Sequence, residues 1–255
     1  MVEIDVVKEI ALGAGRILIE KLHTGVCVQA KGTIDLVTDA DKASEAYVVG
    51  ELRRRFPQHA ILAEEGGQTA GADDYLWVID PLDGTTNFAH GFRHFCVSIA
   101  LVKGGDAVLG VVYDPLHKEC YAAEKGSGAF LNGQRIQVSK TETVLRSLLA
   151  SGFPYDVATS EVNNLEPFCR VMKASQAVRS LGAAALDLCQ VAAGRLDAFW
   201  ELVLEPWDLA AGGLIVQEAG GKVTDCTGGK FNPLGTNICA SNGLIHAELL
   251  GLIQG

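Results

Sequence analysis

The 255-residue sequence predicts an α+β fold in which two closely joined halves, 1–140 and 141–255, form one compact unit with a site between them. Three observations predict it. Apolar residues recur at helical spacing near the N-terminus, short β-rich runs fill the middle from Phe95 to Val138, and helices alternate with strands after about Thr141. A hydrophobic fraction of 48% argues against disorder and is ample for a large core.

In order along the chain, Val7, Ile10, Ala14, Ile17 and Leu22 give residues 3 to 22 one apolar face and hence an amphipathic helix. Thr38 and Asp41 have capping-box spacing, which predicts a second helix running to about Phe56. "YLWVID" is apolar on both faces, as a buried strand is, and ends at Asp80. The runs after Phe95 are punctuated by "KGGD", "YDPLHK", "EKGSG" and "LNGQ"; they read as an antiparallel meander, with Asn132-Gly133 suited to a type I′ turn. Beyond it come "VLRSLLAS", a helix near 161 to 174, strands at "AVRS" and "LDAFWEL" with the helix "AAALDLCQVAAG" between them, strands at "GKVTDC" and "NICAS", and a final helix. In "PWDLAAGGLIVQEAGG" Pro206 opens a helix and Gly220-Gly221 closes it, the ends at which each is favoured.

A formal charge of −10 disfavours binding to nucleic-acid backbones, which draws on clustered Lys and Arg. No apolar stretch is long enough to span a bilayer, and "MVEIDVVKEI" lacks the basic and apolar regions of a signal peptide, so the expectation is a soluble cytoplasmic protein. Seven cysteines without CxxC spacing are expected to be reduced core thiols.

The chemistry is concentrated in one segment. Between Ala60 and Ala89 there is no Lys, Arg or His, yet Glu64, Glu65, Asp73, Asp74, Asp80 and Asp83 all occur there. Asp73 and Asp74, in a polar Gly-rich stretch, read as a solvated loop. Asp80 and Asp83 close a strand expected to be buried, and a buried ionised carboxylate is costly unless paired or bound to metal. One reading is a turn in which Asp83 accepts from nearby amides and Asp80 pairs with a distant Arg. The preferred one is a hard-oxygen site for Mg²⁺, with Pro81 holding the backbone so that the Leu82 carbonyl joins both side chains. Gly84 and Thr85 follow at once, and their amides at a helix N-terminus would cradle a phosphate. Carboxylates repel phosphate, so the two features are compatible only with divalent cations between them, as in a metal-dependent phosphatase. Asp208, in the first turn after Pro206, is explained by capping alone; only its combination with Asp80 and Asp83 suggests a ligand.

Taken together, "DLVTDAD", "AEEGG", "WVIDPLDGTTNFAH", "GVVYDP", "GAFLNG", "RSLGAAAL" and "WDLAAGGLIVQEAGG" strongly resemble the inositol monophosphatases of the Mg²⁺-dependent, lithium-sensitive phosphatase superfamily, over nearly the whole chain. The resemblance implies a layered α/β/α/β/α sandwich of the inositol monophosphatase and fructose bisphosphatase type, and a homodimer. It implies that Glu64, Asp80 and the Leu82 carbonyl hold one Mg²⁺, that Asp80, Asp83 and Asp208 hold a second, and that a weaker third sits near Glu64, with Mn²⁺ a possible substitute. Asp41 and Thr85 correspond to the pair that orients and deprotonates water, with Glu64 beside them; Glu201 and the segment Gly182, Ala183 and Ala184 correspond to the pocket for the sugar alcohol. A salt bridge at a strand end is the plainer account of Glu201. Two departures bear on substrate: Ala183 stands where many relatives carry Ser or Thr, and Glu205 where His or Lys is common. The resemblance makes inositol 1-phosphate the expected substrate, and the two departures, which count against strict inositol specificity, keep fructose 1,6-bisphosphate and histidinol phosphate as alternatives on the same scaffold. Nucleotide 3′-phosphates are disfavoured, because phosphatases for them generally have longer chains. A role as a protein partner of the transcription machinery is the alternative of another class.

Two further motifs carry less. His90 and His94 have the spacing of a zinc pair, but Gly91 stands where HExxH has its Glu. The partial GxGxxG in "GSGAFLNG" lies in the meander and reads as a hairpin.

Overall fold

The computed structural model describes residues 2–24, 27–30 and 36–255; Asp35, the first residue of "DLVTDAD", lies outside them. The chain runs α1 (Ile4–Thr24), β1 (Val28–Ala30), β2 (Leu36–Thr38), α2 (Asp39–Arg55), β3 (Ala60–Ala63), β4 (Gly67–Thr69), β5 (Tyr75–Asp83) and α3 (Thr85–Ala89). The meander follows as β6 (Cys96–Lys103), β7 (Asp106–Asp114), β8 (Glu119–Glu124), β9 (Gly128–Leu131) and β10 (Gln134–Arg135). Next come β11 (Leu148–Ser151), α4 (Leu165–Ala174), β12 (Ala177–Arg179), α5 (Ala184–Ala192), β13 (Ala198–Glu201), α6 (Pro206–Glu218), β14 (Lys222–Thr224), β15 (Ile238–Ser241) and α7 (His246–Gln254).

These elements form an eight-stranded sheet, ordered β10-β9-β8-β7-β6-β5-β3-β4, and a five-stranded sheet, ordered β12-β11-β13-β15-β14, besides the β1–β2 pair. Side chains alternate between the two faces of a strand, and β5 uses both. Trp77 and Ile79 pack with Ile10, Ala14, Val48 and Leu52 of α1 and α2, whereas Val78 packs with residues of α5 and α6. Ala150 of β11, Phe199 of β13 and Ala240 of β15 cover the other side of α5 and α6, and Trp200 and Cys239 turn outward to Val171 of α4 and Leu249 of α7. The layers are therefore α1/α2, large sheet, α5/α6, small sheet and α4/α7, the α/β/α/β/α order expected. Burial on both sheet faces explains the unbroken apolar run of β5.

Local signals account for several boundaries. The Thr38 side chain accepts from the Ala40 and Asp41 amides while Asp41 accepts from the Thr38 amide, so α2 starts with the predicted capping box. Asn132 and Gly133 both have positive φ, as a type I′ turn between β9 and β10 requires. "VLRSLLAS" comprises a single 3₁₀ turn, Val144–Arg146, followed by β11. Two expectations differ from the structure. The helix expected from about 161 begins at Leu165, since Asn164 is left-handed (φ 63°) and gives its amide to Ser151 and Gly152. Four cysteines, at 96, 189, 226 and 239, are buried; Cys27 and Cys169 are exposed and Cys120 is half-buried, so the expectation of core thiols throughout fails for these three.

Candidate metal centre and active site

β5 and its continuation place the acidic pair. In an undisturbed strand, residues three apart point to opposite faces. Here Asp80 pairs with Ser98 and Asp83 with Cys96, so three steps on β5 match two on β6, and the resulting bulge turns both carboxylates to one side. Pro81, which has no N–H to give a ladder, sits within that bulge. The Pro81 carbonyl accepts from the Ser44 hydroxyl at 2.8 Å, which ties the bulge to α2.

α6 brings the third carboxylate. The Trp207 carbonyl accepts from the Ser98 hydroxyl at 3.1 Å, and Asp208, in the first turn, accepts from the Glu205 amide at 2.8 Å, as the capping reading expected. Among the described residues, carboxylate oxygens of Asp80, Asp83 and Asp208 lie within 4.8 Å of one another. Capping and clustering therefore coexist at Asp208. Glu64 follows β3 with its amide on the Ile79 carbonyl, and its charge acts on both Asp80 and Asp208.

Electrostatics set this group apart. Burial, reinforced by Glu64, Asp83 and Asp208, holds the Asp80 carboxyl well above the usual carboxylate range. Burial and the neighbouring Asp83 do the same to Asp208. Asp83 is pushed up to about 6 by burial, against the Ala185 amide, which donates to it at 2.8 Å; the Asp187 charge adds to the rise. Among the described residues no Lys or Arg pairs with Asp80, which removes the distant-Arg reading. Three hard oxygen donors that repel one another in a dry environment are suited to a small divalent cation.

Thr85 opens α3 beside the cluster. Its hydroxyl lies 2.9 Å from Asp41 Oδ1 and 3.0 Å from the Leu82 carbonyl, both acceptors, so its one proton serves them in turn. Asp41 is wholly buried, and its second oxygen accepts from the Thr38 amide and hydroxyl. Gly84, at φ 89°, admits no side chain: a Cβ would lie 2.9 Å from the His94 carbonyl and 3.3 Å from both Ala183 Cβ and the Gly182 carbonyl. Thus the Gly182–Ala183 segment and Ala184, the first residue of α5, stand against the Asp83–Gly84 turn.

Glu201 ends β13, 8% exposed, and among the described residues no cation or hydrogen-bond donor meets its carboxylate, so the salt-bridge account fails. Burial raises its pKa well above the ordinary value, with Asp208, Asp187 and Asp83 adding to the effect. Its carboxyl occupies the space a side chain at residue 152 would need, since a Cβ on Gly152 would come 2.2 Å from Glu201 Oε2. His94 does not pair with His90, which is exposed at the end of α3; its Nε2 lies 2.9 Å from Asp187 Oδ1. Sequence reading missed Asn87, Gly152, Asp187 and this use of His94; only Asn87, adjoining "GTT", carried any local hint.

A layered fold with an acidic, cation-suited cluster beside a buried Thr–Asp pair describes a class of phosphatase. The family model for the inositol monophosphatase family matches residues 2–254, and the chain belongs to that family. It is 45% identical to the inositol-1-monophosphatase of Synechocystis sp., over 96% of this chain and 86% of that one. It is also 45% identical to a Pseudomonas aeruginosa protein named Nus factor SuhB, over 96% of this chain and 93% of that one. The solved structure of inositol monophosphatase from Anabaena (Nostoc) sp. superposes with a TM-score of 0.90 at 44% identity, covering 98% of this chain and 94% of that chain. The protein is accordingly a phosphatase of the inositol monophosphatase family, a family that is metal-dependent, typically on Mg²⁺.

Proposed function

We propose that the protein is an inositol-1-monophosphatase, a Mg²⁺-dependent phosphate monoester hydrolase. The observation that carries this reading is the trio of Asp80, Asp83 and Asp208, mutually repelling, the first two buried and the third half-buried, beside Thr85 and Asp41. Asp80 and Glu64, with the Leu82 carbonyl, would hold one Mg²⁺, and Asp80, Asp83 and Asp208 another; a third, weaker ion would sit near Glu64, and Mn²⁺ would substitute. Bound there, the cations lower the pKa of water and neutralise charge on the leaving oxygen. The chain's own residues orient the reaction. Thr85 directs its own proton to Asp41 Oδ1 and a lone pair to the incoming water; as the water oxygen meets phosphorus, Thr85 accepts the water's proton and passes its own to the Asp41 carboxylate. The amides of Gly84 and Thr85 face the phosphate, while Glu201 accepts from a substrate hydroxyl across the wall formed by Gly182, Ala183 and Ala184. Glu201 suits a hydroxyl-rich, uncharged alcohol better than a second phosphate, which places inositol 1-phosphate ahead of fructose 1,6-bisphosphate.

Phosphate release from inositol 1-phosphate, fructose 1,6-bisphosphate, histidinol phosphate and a nucleotide 3′-phosphate tests the reading. Preference for the first, with inhibition by millimolar Li⁺, is expected; a strong preference for a bisphosphate would contradict it. A cytoplasmic homodimer is part of the same reading, and sedimentation at several concentrations checks the dimer. A role with a basic protein partner in transcription is the second reading, prompted by the relative named Nus factor SuhB and compatible with the charge of −10. Pull-down from the native host with an Asp83→Asn variant separates that role from catalysis.

A further inference from the structure

The Asp83–Gly84 turn is held against α5 at three places. The Ala185 amide donates to Asp83 Oδ2 at 2.8 Å. Asn87 donates its amide to the Leu181 carbonyl at 2.7 Å, the Gly182 carbonyl at 3.3 Å and the His94 carbonyl at 2.8 Å, joining the 181–182 segment and the backbone at His94 to α3. Deeper in, His94 Nε2 meets Asp187 Oδ1 at 2.9 Å, across 93 positions of sequence. Ala185 and Asp187 lie within the first four residues of one helix, so fixing Asp187 fixes the direction of the Ala185 N–H.

The pair's surroundings show that it is more than incidental. Asp187 is 2% exposed and His94 15% exposed, so the bond is made away from water, where a charge-assisted hydrogen bond has its greatest directional strength. Burial is the largest single influence and acts to lower the His94 pKa, but the hydrogen bond and charge of Asp187, with the charges of Asp83 and Asp114, together shift the ring upward. No other hydrogen-bond donor reaches the Asp187 carboxylate among the described residues, so without His94 that buried carboxylate would lose its one donor and α5 would be tied to the turn only through the Ala185 amide.

We infer that His94 and Asp187 are positioning residues: their hydrogen bond clamps α5 to the 84–95 segment and thereby aims the Ala185 amide at Asp83 and holds the 182–184 wall against Gly84. The inference rests on the metal-site reading of Asp83. Releasing the clamp frees Asp83 to rotate and lets the pocket wall move, without removing any group that touches cation or phosphate. Loss of such outer hydrogen-bond support weakens metal binding by about tenfold.

Three variants separate positioning from general structural damage. His94→Gln carries an amide nitrogen near the place of Nε2 and keeps the bond; His94→Asn is too short to reach, and His94→Phe keeps ring volume with no donor. Mg²⁺ binding is read by calorimetry on the folded, metal-stripped full chain, with circular dichroism confirming folding and steady-state kinetics on inositol 1-phosphate at saturating Mg²⁺ as a second readout. The clamp predicts about tenfold weaker Mg²⁺ binding and a raised KM in the Asn and Phe variants, with rescue to within about twofold in Gln. Should Phe fail to fold, Asn decides. Equal Mg²⁺ affinity in folded Asn or Phe variants and wild type would overturn the clamp while leaving the metal site standing. Wild-type protein that binds no Mg²⁺ would overturn the metal-site reading and the clamp with it.

Discussion

Around Asn164 and His246 each buried polar side chain meets partners of opposite hydrogen-bonding character, whereas Asp80, apart from the Leu82 amide that donates to it at 2.9 Å, faces other carboxylates. Asn164 donates to Ser151 Oγ at 2.8 Å and the Gly152 carbonyl at 2.7 Å and accepts from Trp200 Nε1 at 2.9 Å. The His246 ring spans Ser241 Oγ at 2.8 Å and Thr224 Oγ1 at 3.0 Å, and burial lowers its pKa to about 4, which keeps it neutral. Those networks close on themselves and stabilise the small sheet. The cluster of Asp80, Asp83 and Asp208 does not close: burial and mutual repulsion both oppose its ionised form. Satisfied neutral networks belong to the fold, and a like-charged buried cluster kept at a cost of stability belongs to function.

The contrast breaks most visibly at Asp83. Asp83→Asn is expected to lower kcat by on the order of 10³-fold, because it removes a ligand charge at nearly constant volume. Stability should move the other way in metal-free buffer. The folded pKa of Asp83, about 6, lies above its unfolded value, so folded protein holds a proton that unfolded protein releases, and stability falls as pH rises from about 4 through 6. Above pH 6 the variant should melt later than wild type, by up to about 3 kcal/mol, with the gap closing below about pH 4. Calorimetric melts across that range check it; equal melting above pH 6 would show that burying the Asp83 charge carries no cost in the metal-free protein.

Next in size is the Thr85–Asp41 pair. Thr85→Ala should lower kcat by about 10²-fold with little change in KM, as it leaves the backbone amide in place. Asp41→Asn should act similarly and also cost about 1 kcal/mol, since Asp41 closes the capping box of α2. A double variant scarcely slower than the worse single one would mark a single relay, and multiplicative losses independent roles.

The smallest expected effect on activity comes from the closed network. His246→Leu leaves Ser241 and Thr224 without their shared partner and should cost about 1–3 kcal/mol at pH 7.5 with kcat unchanged. Since the folded pKa of His246 lies below its unfolded value, wild type loses this contribution as pH drops from about 6.5 through 4, so the two melting curves should converge there. Divergence towards pH 4 would contradict a neutral buried imidazole.

Much of this architecture is legible in the sequence because it rests on local signals. The Thr38–Asp41 box, the Asn132-Gly133 turn and the apolar run of β5 each concern neighbouring residues, and the absence of Lys, Arg and His between Ala60 and Ala89 marks Asp80 and Asp83 as needing a cation. What stayed hidden depends on register or on contacts across the chain. A period-two strand puts residues 80 and 83 on opposite faces, and only the bulge against β6 unites them. Gly152 makes room for Glu201 from 49 positions away, and His94 finds Asp187 only because α5 packs beside the Gly84 turn. The exposed cysteines were misjudged for the same reason, as residue type indicates average burial and neighbours decide the particular case.

The central claim is that the buried acidic cluster is a divalent-cation site serving phosphate ester hydrolysis. Mg²⁺ titrated into chelator-stripped protein, with calorimetric binding and phosphate release from inositol 1-phosphate followed together, tests it most directly. Binding that raises the melting temperature and restores activity in parallel is the predicted result, with both responses lost in Asp83→Asn. Full activity in stripped protein, or Mg²⁺ binding undiminished by Asp83→Asn, would contradict it.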